Sequence, residues 1–248
     1  MDIADRQHAH GFRSGVPIQY NVSMPILLFD IDGTLVRTGG AGKAAMEAGL
    51  REVFGVEHVL DVVPYSGRTD RAIARDLLTV HGIEPSPENQ IRLQEAYLER
   101  LPQALARISG AVCPGIADLL RHLQPRPDVT LGLLTGNVRS GARHKLGHFG
   151  LWDFFVCGGF GDEHYERDDV ARMAVQEVIA HLGRDVDVND VWVIGDTPLD
   201  VQCARAIGAK VVAVGTGWHA LEELASHKPD LLLSDLSNHD PLLRVWAT

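Results

Sequence analysis

The chain has 248 residues, an ordinary apolar fraction of 45%, a charged fraction of 23% and a formal net charge of -10. This length supports one sizeable core with an insertion, or two modest domains. The acidic balance without a Lys/Arg block argues against nucleic acid as a partner, and no apolar run reaches membrane-spanning length.

In chain order, Met1 to Ser23 is polar and mixed, lacks the apolar core of a signal peptide, and reads as a leader outside the fold. Ile26–Phe29 reads as a short, continuous apolar strand, and Asp30-Ile31-Asp32-Gly33-Thr34 follows it. From about Gly39 to Ala111 no strand is evident. Helical spacing predicts Ala41–Phe54, Asp70–His81 and Pro87–Arg107, with a short turn near Val59. Gly39-Gly40 and Gly110–Gly115 read as hinges at the ends of this inserted helical block. Strand-like runs then recur at Val129–Leu134, Phe154–Cys157, Val191–Ile194, Lys210–Val214 and Asp230–Leu233. Helical patterns alternate with them: Pro114–Leu123, Val138–Phe149, Asp168–Leu182, Pro198–Ile207 and Leu221–Ala225. Continuous Val/Ile/Leu runs alternating with helices predict an α/β fold, a Rossmann-like doubly wound parallel sheet covered on both faces. Cys113, Cys157 and Cys203 are scattered with no CxxC, which argues against disulfides or zinc and for a reducing cytoplasm.

Four segments fall at C-terminal strand ends, where open α/β sheets bind ligands. Asp30 and Asp32 are the first. Two carboxylates this close need a cation, a proton or strong hydrogen bonds. A carboxylate is a competent nucleophile toward phosphorus, and a second one can serve as general acid and base. Leu134-Thr135-Gly136-Asn137 is the second; it offers a hydroxyl and free N–H groups to an anion, or simply caps the next helix. The third is a cation, Arg167 in the polar loop after Phe154–Cys157 or Lys145 on the helix after Thr135. Either is equally readable as a solvated surface charge, and position at the sheet edge favours Arg167. Val193-Ile194-Gly195-Asp196-Thr197-Pro198-Leu199-Asp200 is the fourth. Asp196 reads as a metal ligand. Asp200 reads as a second ligand, an outer partner, or an acid complementing a helix dipole. An oxygen-only set suits Mg²⁺ rather than zinc.

DxDGT, LTGN, a basic residue and GDTPLD, in that order, resemble the four motifs of haloacid dehalogenase-like hydrolases. The resemblance runs from about Met24 to the C-terminus and fits the phosphoglycolate phosphatase-like branch best. It implies a catalytic core of residues 24–38 and 112–248 and an α-helical cap of residues 39–111. Ser66-Gly67-Arg68-Thr69-Asp70 resembles that branch's cap loop facing the active site, which makes Arg68 a candidate substrate contact. By resemblance, Asp30 is nucleophile and Mg²⁺ ligand, and Asp32 is acid/base with its main-chain carbonyl on the metal. Thr135 and Gly136, with Asn137 beside them, hold phosphoryl oxygens, and Asp196 and Asp200 serve the metal. The third motif is commonly Lys followed by Pro, whereas here Arg167 precedes Asp168.

The resulting expectation is a Mg²⁺-dependent phosphatase of small phosphorylated metabolites, phosphoglycolate-like or sugar phosphates, working through an aspartyl-phosphate. The partner expected is a small molecule, with no nucleic acid and no membrane, and the chain a monomer or homodimer. The competing readings are a sugar-phosphate mutase of the beta-phosphoglucomutase kind and a non-catalytic module that binds phosphate and Mg²⁺. Three other features read as incidental. Gly39-Gly40-Ala41-Gly42-Lys43 fails as a P-loop, because Arg37 and Ala44 replace required residues. His144 and His148 share a helix face without a third metal ligand, and the four tryptophans read as packing residues.

Overall fold

The computed structural model describes residues 25–246; the segment read as a leader lies outside the described residues. Six parallel strands form the main sheet: β1 (Ile26–Phe29), β4 (Thr130–Leu134), β5 (Cys157–Gly159), β6 (Val191–Gly195), β7 (Lys210–Val214) and β8 (Leu231–Leu233). Their order is β5-β4-β1-β6-β7-β8. A second ladder pairs β2 (Val36–Arg37) antiparallel to β3 (Ala111–Val112).

Alternation along β1 divides the core. Leu27 and Phe29 join a cluster with Ile116, Leu119 and Leu120 of α4 (Ile116–Leu123), and with Ala142 and Leu146 of α5 (Arg139–His148). Ile26 and Leu28 face the other way, onto Val170, Ala171 and Ala174 of α6 (Arg167–Leu182), and onto Val201 and Ala204 of α7 (Pro198–Ala206). A strand buried on both faces has no reason to alternate polar with apolar. The remaining core helices are α8 (Leu221–Ser226) and α9 (Asp240–Trp246).

The helical block between β2 and β3 consists of α1 (Ala41–Phe54), α2 (Asp70–Val80) and α3 (Pro87–Arg107). Thr69 caps α2 by accepting from the Ala72 N–H, and Ser86 caps α3 ahead of Pro87. These helices bury an apolar cluster of their own, including Met46, Leu50, Ile73, Leu77, Leu93, Tyr97 and Leu101; among the described residues only Val138, just before α5, joins it from the sheet side.

Some local expectations are corrected. The short turn expected near Val59 is present as bends and turns within residues 55–69, and the differences lie in the core. The strand read at Phe154–Cys157 is displaced to Cys157–Gly159, after a 3-10 turn at Trp152–Phe154. Gly158 and Gly159 hide it, because glycine carries no strand signal. A Cβ on Gly159 would overlap the backbone of α6 at Val170, and close packing explains the residue type. The β2–β3 ladder and α9 are too short to show a period, and Pro102 lies inside α3 without ending it.

Candidate active site

Register places the acids. Phe29 pairs with Leu133 of β4 and Ile194 of β6, so Asp30 falls one residue beyond, with its N–H bonded to the Ile194 carbonyl at 2.9 Å. Asp196 leaves the end of β6 beside it. At Gly33 φ is +92°, and a Cβ there would overlap the Asp196 carboxylate, so the turn after β1 demands glycine twice over. Thr34 donates its hydroxyl to Asp196 Oδ1 at 2.9 Å. Asp200 closes a capping box at the start of α7, accepting from the Thr197 N–H and hydroxyl on Oδ2. Asp30, Asp196 and Asp200 are all buried, and each offers an oxygen within 4.8 Å of the others.

Arg167 is the first residue of α6 rather than part of the loop before it, and it is 5% exposed. Its Nη2 lies 2.9 Å from Asp30 Oδ1 and 2.5 Å from Asp200 Oδ1, and Nη1 donates to the Gly67 carbonyl at 3.0 Å. A cation at a helix N-terminus opposes the dipole, so the carboxylates hold it there. One guanidinium does not balance three acids. Burial pushes the Asp30 carboxyl up to about 6 against the pull of Arg167, with Asp200 and Asp32 pushing the same way as burial. Asp196 is held well above the usual carboxylate range by burial, then by Asp30 and Asp200.

Lys145 serves a different acid. It is 4% exposed, and its Nζ lies 2.5 Å from Asp32 Oδ2 and 2.6 Å from Asn137 Oδ1. Asn137 Nδ2 donates to the same Asp32 oxygen at 2.9 Å and to Thr135 Oγ1 at 2.8 Å. Oγ1 accepts in this bond and in one from the Asn137 N–H at 3.3 Å, so neither uses the Thr135 hydroxyl hydrogen. The two cations therefore do not compete for one role: Arg167 braces Asp30 and Asp200, and Lys145 braces Asp32. Neither is a solvated surface charge.

Other expected residues fall differently. Arg68 lines the cavity, but its guanidinium turns to Asp76 at 2.6 Å and the Pro64 carbonyl at 3.1 Å instead of the carboxylate cluster. The Asp32 side chain is 40% exposed and points to Lys145, outside the three-acid group. His144 and His148 lie exposed on α5.

Several residues beside the acids carry no role that the motifs assign. Thr216 donates to the Gly33 carbonyl at 2.6 Å, and a Cβ on Gly217 would overlap the Asp196 carboxylate. Both lie on the loop after β7, which carries no motif. Asp70 fastens the helical block to the core: its N–H donates to the Gly136 carbonyl at 2.7 Å, and its Oδ2 accepts from the Val138 N–H at 2.9 Å. The tryptophan expectation fails at Trp218. Trp192 and Trp246 are buried, whereas Trp218 is 92% exposed at the mouth of a cavity of about 790 Å³ that reaches Asp30.

Burial holds the Asp70 carboxyl up at about 6, aided by Asp32 and Asp162 and opposed by Lys145 and the Val138 N–H. A raised folded-state value means the native chain binds that proton more tightly. Stability from this group is therefore present below pH ~4 and is lost as pH rises through ~6. Asp70→Asn keeps an acceptor for Val138 without the charge. Urea unfolding should find it about 1–2 kcal/mol more stable than wild type at pH 7.5, discounted for partial exposure, with the gap closing by pH ~4.

The sequence model of the family described as haloacid dehalogenase-like hydrolase matches residues 27–205. The phosphoglycolate phosphatase of Synechococcus elongatus is 29% identical over 215 residues, spanning 87% of this chain and 95% of that protein. That of Cereibacter sphaeroides ATCC 17029 is 28% identical over 224 residues, spanning 88% and 96%. Among solved structures, CbbY from Rhodobacter sphaeroides in complex with phosphate superposes with a TM-score of 0.70 at 22% identity, covering 87% of this chain and 96% of that one. At that identity the likeness speaks for the fold.

Proposed function

The chain belongs to the haloacid dehalogenase-like hydrolases, and from that footing we propose that it is a phosphatase that hydrolyses small phosphate monoesters through an aspartyl-phosphate on Asp30. The observation that carries this reading is one sheet edge with two separately braced acids, Asp30 buried and Asp32 partly open to the cavity. Arg167 holds Asp30, and Lys145 with Asn137 holds Asp32. The relatives named phosphoglycolate phosphatase support the same class.

The acids fit a hard divalent cation. Asp30, Asp196 and Asp200 form an all-oxygen set, and the raised Asp30 and Asp196 carboxyls mark negative charge that Arg167 alone leaves uncompensated. Asp30 and Asp196 would hold Mg²⁺. Asp200, with one oxygen in the capping box and the other on Arg167, acts beside them. When bound, the ion supplies positive charge against the phosphoryl oxygens.

Asp30 attacks phosphorus, and the leaving alcohol takes its proton from Asp32. Thr135 donates its hydroxyl to a phosphoryl oxygen. Asp32, then a carboxylate, removes a proton from the water that hydrolyses the acyl phosphate. Residues 24–38 and 112–248 form the catalytic core in this reading. Residues 39–111 act as a cap that shields the reacting centre from bulk water.

Turnover of p-nitrophenyl phosphate should require Mg²⁺ and vanish in EDTA. Mg²⁺ at a hundredfold excess over Kd should also raise the thermal midpoint by roughly 5–10 °C. Undiminished turnover in EDTA defeats the metal assignment. Isomerised sugar phosphate without phosphate release would show a mutase instead.

A further inference from the structure

Of the large apolar side chains among the described residues, Trp218 is the most exposed, at 92%. It is not on a loose segment. Before it, Thr216 is bonded to the Gly33 carbonyl at 2.6 Å and accepts from Arg37 Nε at 2.6 Å, and Gly217 lies against the Asp196 carboxylate. After it, His219 meets Ser66 of the helical block at 3.2 Å and Glu223 at 3.0 Å. Both flanks are tied, one to the acids and the other across to the helical block. The indole between them stands in solvent at the rim of the cavity.

The rest of that rim is amphipathic. Lys43 and Asp61 pair at 2.5 Å, and the Lys43 ammonium lies 5.6 Å from the Tyr65 ring centroid. All three line the cavity together with Arg37 and Trp218. At about 790 Å³ the space is of a size that encloses a drug-sized ligand. A two-carbon phosphoester held at Asp30 fills a small part of it and leaves the indole and the Lys43–Asp61 pair without a ligand partner. A sugar ring has an apolar C–H face for an indole and hydroxyls for charged neighbours.

We propose that Trp218 is a specificity-determining platform for the leaving group, and that the substrate is a cyclic sugar phosphate monoester. This rests on the phosphatase reading above. Phosphate release should be compared for wild type, Trp218→Ala and Trp218→Phe on a panel of hexose phosphates and on 2-phosphoglycolate. In Trp218→Ala, kcat/KM on the preferred hexose phosphate should fall about tenfold, mainly through KM, and by less than twofold on 2-phosphoglycolate. Trp218→Phe should recover most of the loss. An equal loss on both substrate classes overturns the proposal. So does an unchanged kcat/KM on hexose phosphates, or a wild type that accepts 2-phosphoglycolate and no hexose phosphate.

If the wild type releases phosphate from no ester, the phosphatase reading fails first, and binding still tests the platform. Acrylamide quenching of the Trp218 fluorescence, taken as wild type minus Trp218→Ala, should be reduced by glucose 6-phosphate and untouched by 2-phosphoglycolate. Quenching unaltered by any hexose phosphate overturns the platform.

Discussion

Asp30→Asn should lower phosphate-ester turnover by at least about 10⁴-fold while leaving the protein folded. The loss is large because the amide oxygen is a poor nucleophile and, among the described residues, each neighbouring acid is already engaged. Asp196 is turned toward Thr34, and Asp32 is bound by Lys145 and Asn137. The variant should also be at least as stable as wild type at neutral pH, which separates chemistry from unfolding. Burial, aided by Asp200 and Asp32, lifts the Asp30 carboxyl to about 6 against Arg167. Its ionised form is thus a cost to the native state above that pH, and the cost diminishes as pH falls from ~6 to ~4. Asn carries no such cost. The check is a single-turnover assay beside thermal melts at pH 7.5 and pH 4.5. Retained turnover, or an unfolded variant, contradicts the assignment.

Arg167→Met should be the most damaging change to the core. The guanidinium is 5% exposed and bonds Asp30, Asp200 and the carbonyls of Gly67 and Leu134. Removing it leaves buried carboxylates facing one another with no cation, a loss of about 3–5 kcal/mol for a broken buried pair. Urea midpoints at pH 7.5 without divalent cations should show this loss directly. Lowering the pH toward 5 should return part of it, because protonation relieves the same repulsion. Arg167→Lys should fall between the two, keeping the charge and losing the fork that spans two acids. Lys145→Met offers a contrast, since its partner Asp32 is 40% exposed on the side chain and can be solvated. A wild-type midpoint for Arg167→Met would mean that Arg167 does not hold the acids together.

The motif segments were readable because their roles are local. A short apolar strand, an acid at its end and a glycine that must turn lie within the eight residues Ile26 to Gly33. The same holds for Thr197-Pro198-Leu199-Asp200, where cap, first helical residue and first-turn acid are neighbours in sequence. The doubly wound class was also readable, because fully buried parallel strands announce themselves as continuous apolar runs, whereas the strand order β5-β4-β1-β6-β7-β8 came only with the structure. The glycine strand Cys157–Gly159 was not, since its identity depends on how near α6 comes.

What residue order marked was therefore the hydrolase family's motifs and the sheet edge at which they gather: acids at two strand ends, a Thr-Gly turn after a third strand, and a helical block inserted after the first. Which cation attends which acid was settled only by folding. Arg167 and Lys145 look alike as isolated basic residues, and their division of labour arises from helices 33 and 113 positions from the acids they contact. Thr216, Gly217 and Trp218 line the same cavity because packing brings an unmarked loop against it, and Asp70, at the end of the marked Ser66–Asp70 segment, meets the core at Gly136 and Val138. Charge and period are written along a chain, whereas proximity between distant segments exists only once the chain has closed on itself.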